Sequence, residues 1–178
     1  MAIREETAST QGLDHEFLHD FAERYSAAWN SRDASRVTAL LTEDIEWDDP
    51  ALAETARGRE AVAEFARTSW QAFPDLEFEE PEPPYPSPDG PRAMARWHMR
   101  GTHLGAIEPP GFAPTGRRID LQGVDLWEFR DGLMCRYRAI YDLNELARQI
   151  GAAPEPGSLG ERAGVLLQRL SVRLARRR

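Results

Sequence analysis

The stretch that decides the fold is Gly123-Val124-Asp125-Leu126-Trp127-Glu128-Phe129-Arg130-Asp131-Gly132. Its pattern predicts a β-strand that runs into a tight turn, because successive strand side chains point to opposite faces. Asp125, Trp127 and Phe129 then share one face, while Glu128 faces solvent or a partner. A carboxylate between two large aromatic side chains is costly unless it is protonated, hydrogen-bonded or used in chemistry. The stretch therefore predicts an inward-facing acid at position 125.

The composition indicates one domain with a single core. The chain has 178 residues, of which 41% are hydrophobic. No stretch is apolar enough to span a membrane, and the polar start lacks the apolar run of a signal peptide, so we expect a cytoplasmic protein. The single cysteine, Cys135, excludes an internal disulfide. All 22 basic residues are arginine, and the net charge of −8 argues against a nucleic-acid partner.

One local motif suggests a metal site. His15-Glu16-Phe17-Leu18-His19 matches H-E-x-x-H, in which two histidines one helical turn apart bind zinc and the glutamate acts as a base. The alternative is a polar first turn of a helix that matches by chance. We favour that alternative because no third ligand is apparent, and we expect neither a metal nor a cofactor.

Three predicted helices precede the strands. Asp14 is a candidate N-cap for a helix that reaches Asn30, Asp33 caps a short second helix, and Gly58 precedes a third that ends near Phe73. Helical spacing predicts the buried side of the third helix as Ala61, Phe65, Thr68 and Ala72.

The strands that follow are mainly connected by hairpins, and they are predicted over 45–49, 76–82, 92–103, 117–129 and 133–142. Residues 104–116 form a glycine- and proline-rich loop that we expect to be a rim over a pocket. Helices packed on one face of an antiparallel sheet make an α+β fold. We therefore expect a curved, cone-shaped antiparallel sheet wrapped on three N-terminal helices, with a pocket enclosed between them.

The two ends of the chain differ from this body. Residues 1–12 are predicted to be disordered, 13–151 to form the domain, and 152–178 to be a linker and a basic amphipathic helix. The segment 161–178 carries six arginines and one acid, Glu161. Such a helix either docks on the outer sheet face or a second subunit, or contacts a membrane surface or a polyanion. We favour docking, because the rest of the protein is acidic.

Three polar side chains converge on the predicted pocket: Tyr25, Asp49 and Asp125. Their surroundings, Arg24–Asn30, Glu46–Pro50 and Val124–Trp127, resemble segments of the ketosteroid isomerases in the nuclear transport factor 2-like superfamily. In those enzymes, which are a standard example of divided acid and base roles, a tyrosine and a protonated aspartic acid form an oxyanion hole and another aspartate is the base. The resemblance implies that Tyr25 and Asp125 polarise an oxygen and that Asp49 is the base.

A second resemblance covers residues 14–155. Segments 72–75, 101–105, 114–118 and 146–151 are similar to the SnoaL-like polyketide cyclases. The catalytic aspartate of that family corresponds to Ala139 here, and its histidine corresponds to Asp125. In the limonene-type epoxide hydrolases of the same superfamily, an arginine stands two residues before an acid, at the place of Gly123. The resemblance also implies a homodimer that pairs through the outer sheet face, which bears Val124 and Leu126.

The chemistry of the three residues agrees with the resemblance. Removing a proton next to a carbonyl builds negative charge on oxygen, which preorganised donors stabilise, and the base must reach the carbon's proton. Burial favours a protonated Asp125, whereas Asp49 at a strand end is expected to be better solvated and ionised. His103 is either a pocket acid–base group or a loop anchor. The aromatic side chains expected to hold a flat apolar substrate are Trp29, Trp47, Trp97, Trp127, Tyr137 and Tyr141.

These observations predict a cofactor-independent isomerase or cyclase that enolises a polycyclic ketone, a polyketide or a steroid-like compound. Each of the three polar residues also has a structural explanation: a hydroxyl bonded to a backbone carbonyl, a loop cap, or a buried hydrogen-bond network. The alternatives are therefore a small-molecule binding protein of the same fold that has no chemistry, or an epoxide hydrolase.

Overall fold

The predicted strand around Asp125 is the long central strand β6 (Arg118–Arg130) of a seven-stranded sheet. The structure is a computed structural model that describes residues 13–108 and 110–175. Asp125, Trp127 and Phe129 are buried on one face of β6, as the alternation predicts. The predicted disorder of residues 1–12 lies outside the described residues.

Three helices come before or between the first strands. They are α1 (His15–Asn30), α2 (Ala34–Thr38) and α3 (Arg59–Ala72). The Asp14 carboxylate accepts a hydrogen bond from the Phe17 N–H, which satisfies a donor at the start of α1 and confirms the predicted cap. His15 and His19, the histidines of the zinc-like motif, are exposed on the first turns of this helix.

The other strands are β1 (Leu41–Asp48), β2 (Ala56–Arg57), β3 (Glu77–Glu79), β4 (Tyr85–Pro86), β5 (Arg92–Thr102) and β7 (Leu133–Ile140). Their order is β2-β1-β7-β6-β5-β3, with β4 also paired to β5. The fold is the expected α+β cone, but the sheet is mixed, because β1 runs parallel to β7. The prediction of an antiparallel sheet is wrong for this pair, because no hairpin joins β1 to β7. One helix, α3, and five strands lie between them in sequence, so the geometry of a short turn does not force them to run antiparallel.

The face of α3 that packs in the core also differs from the prediction. The buried residues are Val62, Ala63, Ala66, Trp70 and Ala72. Phe65 and Thr68, which the spacing assigned to the core, are half-buried instead and line a cavity. The apolar residues of α3 therefore lie in two environments: some pack in the closed core, and others line the cavity.

Two helices follow the sheet. α4 (Leu143–Gln149) is capped by Asp142, whose carboxylate accepts hydrogen bonds from two backbone N–H groups. α5 (Leu159–Ala175) follows after a short connection. Every residue of α5 is exposed. It therefore does not pack on the outer sheet face of its own chain, which is one of the two docking positions that the sequence favours; docking on a second subunit stays a prediction. Among the helices of the described residues, none has the length and apolar character needed to cross a membrane.

Candidate active site

A cavity of about 200 Å³ lies between the helices and the inner face of the sheet. We call it the aromatic cavity, because eight of its lining residues are aromatic. The residues that the sequence assigned to the site and that line it are Tyr25, Trp29, Asp49, Trp97, Tyr137 and Tyr141. The predicted rim is also present, since Ile107 and Glu108 of the loop after β5 line the cavity.

Asp49 lines the aromatic cavity. Its Oδ1 accepts a hydrogen bond from the Ala51 N–H at 2.8 Å and another from the Tyr141 hydroxyl at 2.9 Å. Its Oδ2 has no hydrogen-bond partner among the described residues. Asp49 is only 7% exposed, less than its position after β1 predicts. Burial raises the pKa of Asp49 above its ordinary value, and the two hydrogen bonds oppose that rise.

Tyr25 reaches the cavity from α1. Its side chain is 1% exposed, and its ring lies 5.4 Å from that of Trp127 and 6.3 Å from that of Trp29, centroid to centroid. Burial raises the pKa of the Tyr25 hydroxyl well above its ordinary value, and the Asp125 carboxyl adds to the rise. Tyr25 is therefore a neutral phenol over the physiological pH range, which is the state in which it can donate a hydrogen bond.

Asp125 is fully buried behind the cavity lining. Its Oδ1 accepts hydrogen bonds from Trp97 Nε1 at 2.7 Å and from the Tyr137 hydroxyl at 2.8 Å, and both donors belong to residues that line the cavity. Its Oδ2 is buried and has no partner among the described residues. Burial raises the pKa of Asp125 to about 8, against the effect of those two donors. Asp125 thus touches the cavity only through Trp97 and Tyr137.

The structure places three other predicted site residues away from the cavity surface. Trp47 is fully buried with its ring stacked on Tyr137 at a centroid distance of 3.6 Å, and Trp127 packs against α1. His103 is also fully buried, and its Nδ1 lies 3.1 Å from Thr115 Oγ1 in the loop before β6. This contact joins His103 to that loop, and both roles considered for His103 stay predictions.

Two acids in or near the cavity are absent from the sequence-based prediction. Glu108 is at the rim of the cavity. Glu80 follows β3, and both of its carboxylate oxygens are buried without a partner among the described residues. Burial raises the pKa of Glu80 to about 8, and the charge of Asp125 adds to that rise. The alternation of β3, in which Phe78 points inward, was the signal that could have identified Glu80 as inward-facing.

Gly123 on β6 lies directly opposite Trp97 on β5. A Cβ at this position would come within 2.3 Å of the Trp97 ring, so only glycine leaves room for the indole that bonds to Asp125. Gly123 stands where the epoxide hydrolases have an arginine, and the Trp97 ring fills the space that a side chain there would need. No arginine lines the cavity in the part of the chain that the structure describes.

Comparisons with known proteins identify the family. A family model described as a SnoaL-like domain matches residues 22–137, which is more than half of the chain. The chain belongs to the SnoaL-like domain family. No curated protein matches this SnoaL-like domain at a significant level.

Solved structures share its fold. TsrD from Streptomyces laurentii is 27% identical and has a TM-score of 0.66, with 79% of this chain and 99% of TsrD covered. A candidate SnoaL-like polyketide cyclase from Jannaschia sp. CCS1 is 18% identical, with a TM-score of 0.66 and coverage of 84% and 99%. A nuclear transport factor 2-like protein from Burkholderia pseudomallei K96243 is 23% identical, with a TM-score of 0.62 and coverage of 75% and 97%. This SnoaL-like domain therefore has the nuclear transport factor 2-like cone fold.

Proposed function

We propose that this SnoaL-like domain is an acid–base enzyme that needs no cofactor and removes a proton next to a carbonyl group. Its substrate would be a polycyclic ketone, a polyketide or a steroid-like compound, and the reaction an isomerisation or a ring closure. The observation that carries the proposal is the pairing of Asp49 Oδ2, a carboxylate oxygen without a partner among the described residues, with the neutral phenol of Tyr25 in one aromatic cavity.

In the proposed reaction Asp49 Oδ2 accepts the proton of the carbon next to the carbonyl. The electron pair of the C–H bond moves into the C–C bond, and the carbonyl oxygen takes up the negative charge of an enolate. Tyr25 donates a hydrogen bond to that oxygen. Donors fixed in a water-poor site stabilise such charge more strongly than water does. Asp49 then returns the proton to another carbon. In a ring closure, the enolate carbon instead attacks a second carbonyl carbon, and the oxygen of that carbonyl takes the proton from Asp49.

In this proposal Asp125 is a positioning residue. It holds the Trp97 indole and the Tyr137 hydroxyl, both of which line the cavity. A protonated Asp125 keeps a hydrogen on Oδ2 and still accepts both bonds at Oδ1. It therefore fixes two walls of the cavity without adding a negative charge next to the enolate.

The experiment that tests the proposal is exchange of the α-hydrogens of 2-tetralone in D2O, followed by NMR. We expect the wild type to accelerate exchange over buffer and Tyr25→Phe to lower that rate about 100-fold, because one oxyanion donor is lost. Tyr85→Phe is the matched control, since Tyr85 is an exposed tyrosine that bonds to Glu82 on the surface, and it should exchange at the wild-type rate. A wild type that binds 2-naphthol but does not exchange 2-tetralone would support the binding-protein alternative and contradict the proposal.

We also propose a homodimer that pairs through an outer patch of the sheet formed by Met94, Val124, Leu126 and Ile140. Met94 lies opposite Leu126 and Val124 opposite Ile140, so the four side chains are neighbours on the face away from the cavity. Met94, Leu126 and Ile140 are 37%, 40% and 52% exposed. Exposed apolar patches of this kind mark interaction surfaces.

Leu126→Glu is expected to convert the dimer to a monomer in sedimentation equilibrium, because it places a charge at the centre of the patch. Removal of residues after Gly157 separates this proposal from assembly through α5. A truncated chain that remains a dimer supports the outer patch, whereas a monomeric truncation with a dimeric Leu126→Glu variant contradicts it.

A further inference from the structure

We infer that the aromatic cavity binds a ligand with a positively charged nitrogen, so that the substrate is an apolar ring compound that carries an ammonium group. This inference rests on the cavity of the proposed function and narrows its substrate class. Asp49 and Glu108 are the only charged residues among the described residues that line the cavity, and both are acids. A cationic ligand would therefore meet charges of opposite sign only.

Asp49 has no counter-ion within the described chain, although its neighbour in sequence has one. The Asp48 carboxylate points outward and accepts a hydrogen bond from Arg138 Nε at 2.7 Å. Asp49, one residue later, points into the cavity and bonds only to the neutral groups of Ala51 and Tyr141. A buried carboxylate without a cation is costly, and a ligand that brings the cation removes that cost.

Two further acids lie near the cavity lining, and no basic side chain accompanies them. Asp125 and Glu80 are buried there, and neither forms an ion pair with a described residue. The ion pairs of the described chain join arginines or histidines to acids with exposed or partly exposed side chains, for example Arg130 to Asp44 and Arg96 to Glu82. The inside of the cone therefore holds three carboxyl groups, those of Asp49, Asp125 and Glu80, while the arginines of the described residues are exposed or half-buried.

The aromatic walls favour the same ligand. Trp29, Trp97, Tyr25, Tyr137 and Tyr141 line the cavity together with phenylalanines. The face of an aromatic ring is electronegative and attracts a cation, and tryptophan and tyrosine are the rings most often used to hold quaternary ammonium groups. The aromatic walls can therefore contact both the apolar body of a ligand and its ammonium group.

The inference also bears on the proposed reaction. An ammonium group near a carbonyl makes the neighbouring C–H more acidic and compensates the charge of the enolate. For that charge the cavity offers the neutral phenol of Tyr25, and no basic residue lines it among the described residues. A cationic substrate would therefore supply a positive charge that the chain itself does not place in the cavity.

The test compares two ligands of the same shape, (3-hydroxyphenyl)trimethylammonium and 3-tert-butylphenol, by titration of tryptophan fluorescence. We expect the cation to bind the wild type at least about tenfold more tightly than its neutral isostere. Asp49→Asn should remove most of this preference and leave the affinity for 3-tert-butylphenol nearly unchanged, which also shows that the cavity is intact. Asp48→Asn is the matched control and should keep the preference.

Equal affinity of the wild type for the two ligands, or a preference for the neutral one, would overturn the inference. A preference that survives Asp49→Asn would overturn the role of Asp49 in it. The result is independent of catalysis: exchange of 2-tetralone without cation preference contradicts only the inference, and cation preference without exchange contradicts only the proposed function.

Discussion

Asp49→Asn is expected to lower the rate of α-hydrogen exchange by about 10² to 10⁴-fold, the range that a positioned general base contributes. Asparagine has the shape of aspartate but cannot accept the proton. Its amide oxygen can still accept the hydrogen bonds that Ala51 N–H and the Tyr141 hydroxyl give to Oδ1. The loss should therefore appear in the catalytic rate, while the unfolding midpoint does not fall below that of the wild type.

Two other acids serve as controls for this variant. Asp48→Asn changes the adjacent residue, whose carboxylate pairs with Arg138 on the surface, and Glu108→Gln changes the acid at the cavity rim. Both should keep exchange within a few-fold of the wild type. An Asp49→Asn variant that exchanges 2-tetralone at the wild-type rate would remove Asp49 from the mechanism, and a large loss in Glu108→Gln would move the base to the rim.

Asp125→Asn is expected to change how stability depends on pH. Burial raises the pKa of Asp125 from its ordinary value of 3.8 to about 8. The folded state therefore holds a proton that the unfolded chain releases above pH 4. This contribution to stability is fully present below about pH 4 and is lost as the pH rises to about 8. The free energy of unfolding falls by at most about 1.4 kcal/mol per pH unit over this range. Asparagine stays neutral, so the variant should not show this loss.

Urea unfolding at several pH values measures the difference. We expect the free energy of unfolding of Asp125→Asn to rise relative to the wild type by on the order of 3 kcal/mol between pH 5 and pH 8. The comparison with the wild type cancels the titration of the surface acids. Glu80→Gln should show a shift of the same sign, because burial raises the pKa of Glu80 to about 8 as well. A constant difference across this range would mean that Asp125 is ionised in the folded protein.

The sequence was most informative where a local signal, such as strand alternation or a helix cap, decides the structure. The alternation around Asp125 correctly assigned Asp125, Trp127 and Phe129 to the inner face, since each is buried. The cap at Asp14 was predictable from the local pattern. That Tyr25 and Asp49 line one cavity was predictable from the resemblance. These features depend on neighbours in sequence or on a motif, so one chain is enough to find them.

Features that depend on depth were not predictable. Alternation gives the face of a strand residue but not its distance from a cavity, so Asp125, Trp47 and Trp127 were placed at the surface of the pocket although they lie behind it. The parallel pairing of β1 with β7 depends on contacts between distant segments. Glu80 follows the three residues of β3, so the alternation gives its inward direction but not the burial of its carboxyl group.

A crystal structure of the protein with 2-naphthol bound tests the central claim most directly, because the planar naphthol resembles the enolate of 2-tetralone. We predict that it occupies the aromatic cavity, with its oxygen within about 3 Å of the Tyr25 hydroxyl and its ring carbons facing Asp49 Oδ2. Naphthol bound in the cavity with its oxygen turned away from Tyr25, or bound only at the outer sheet face, would contradict the account.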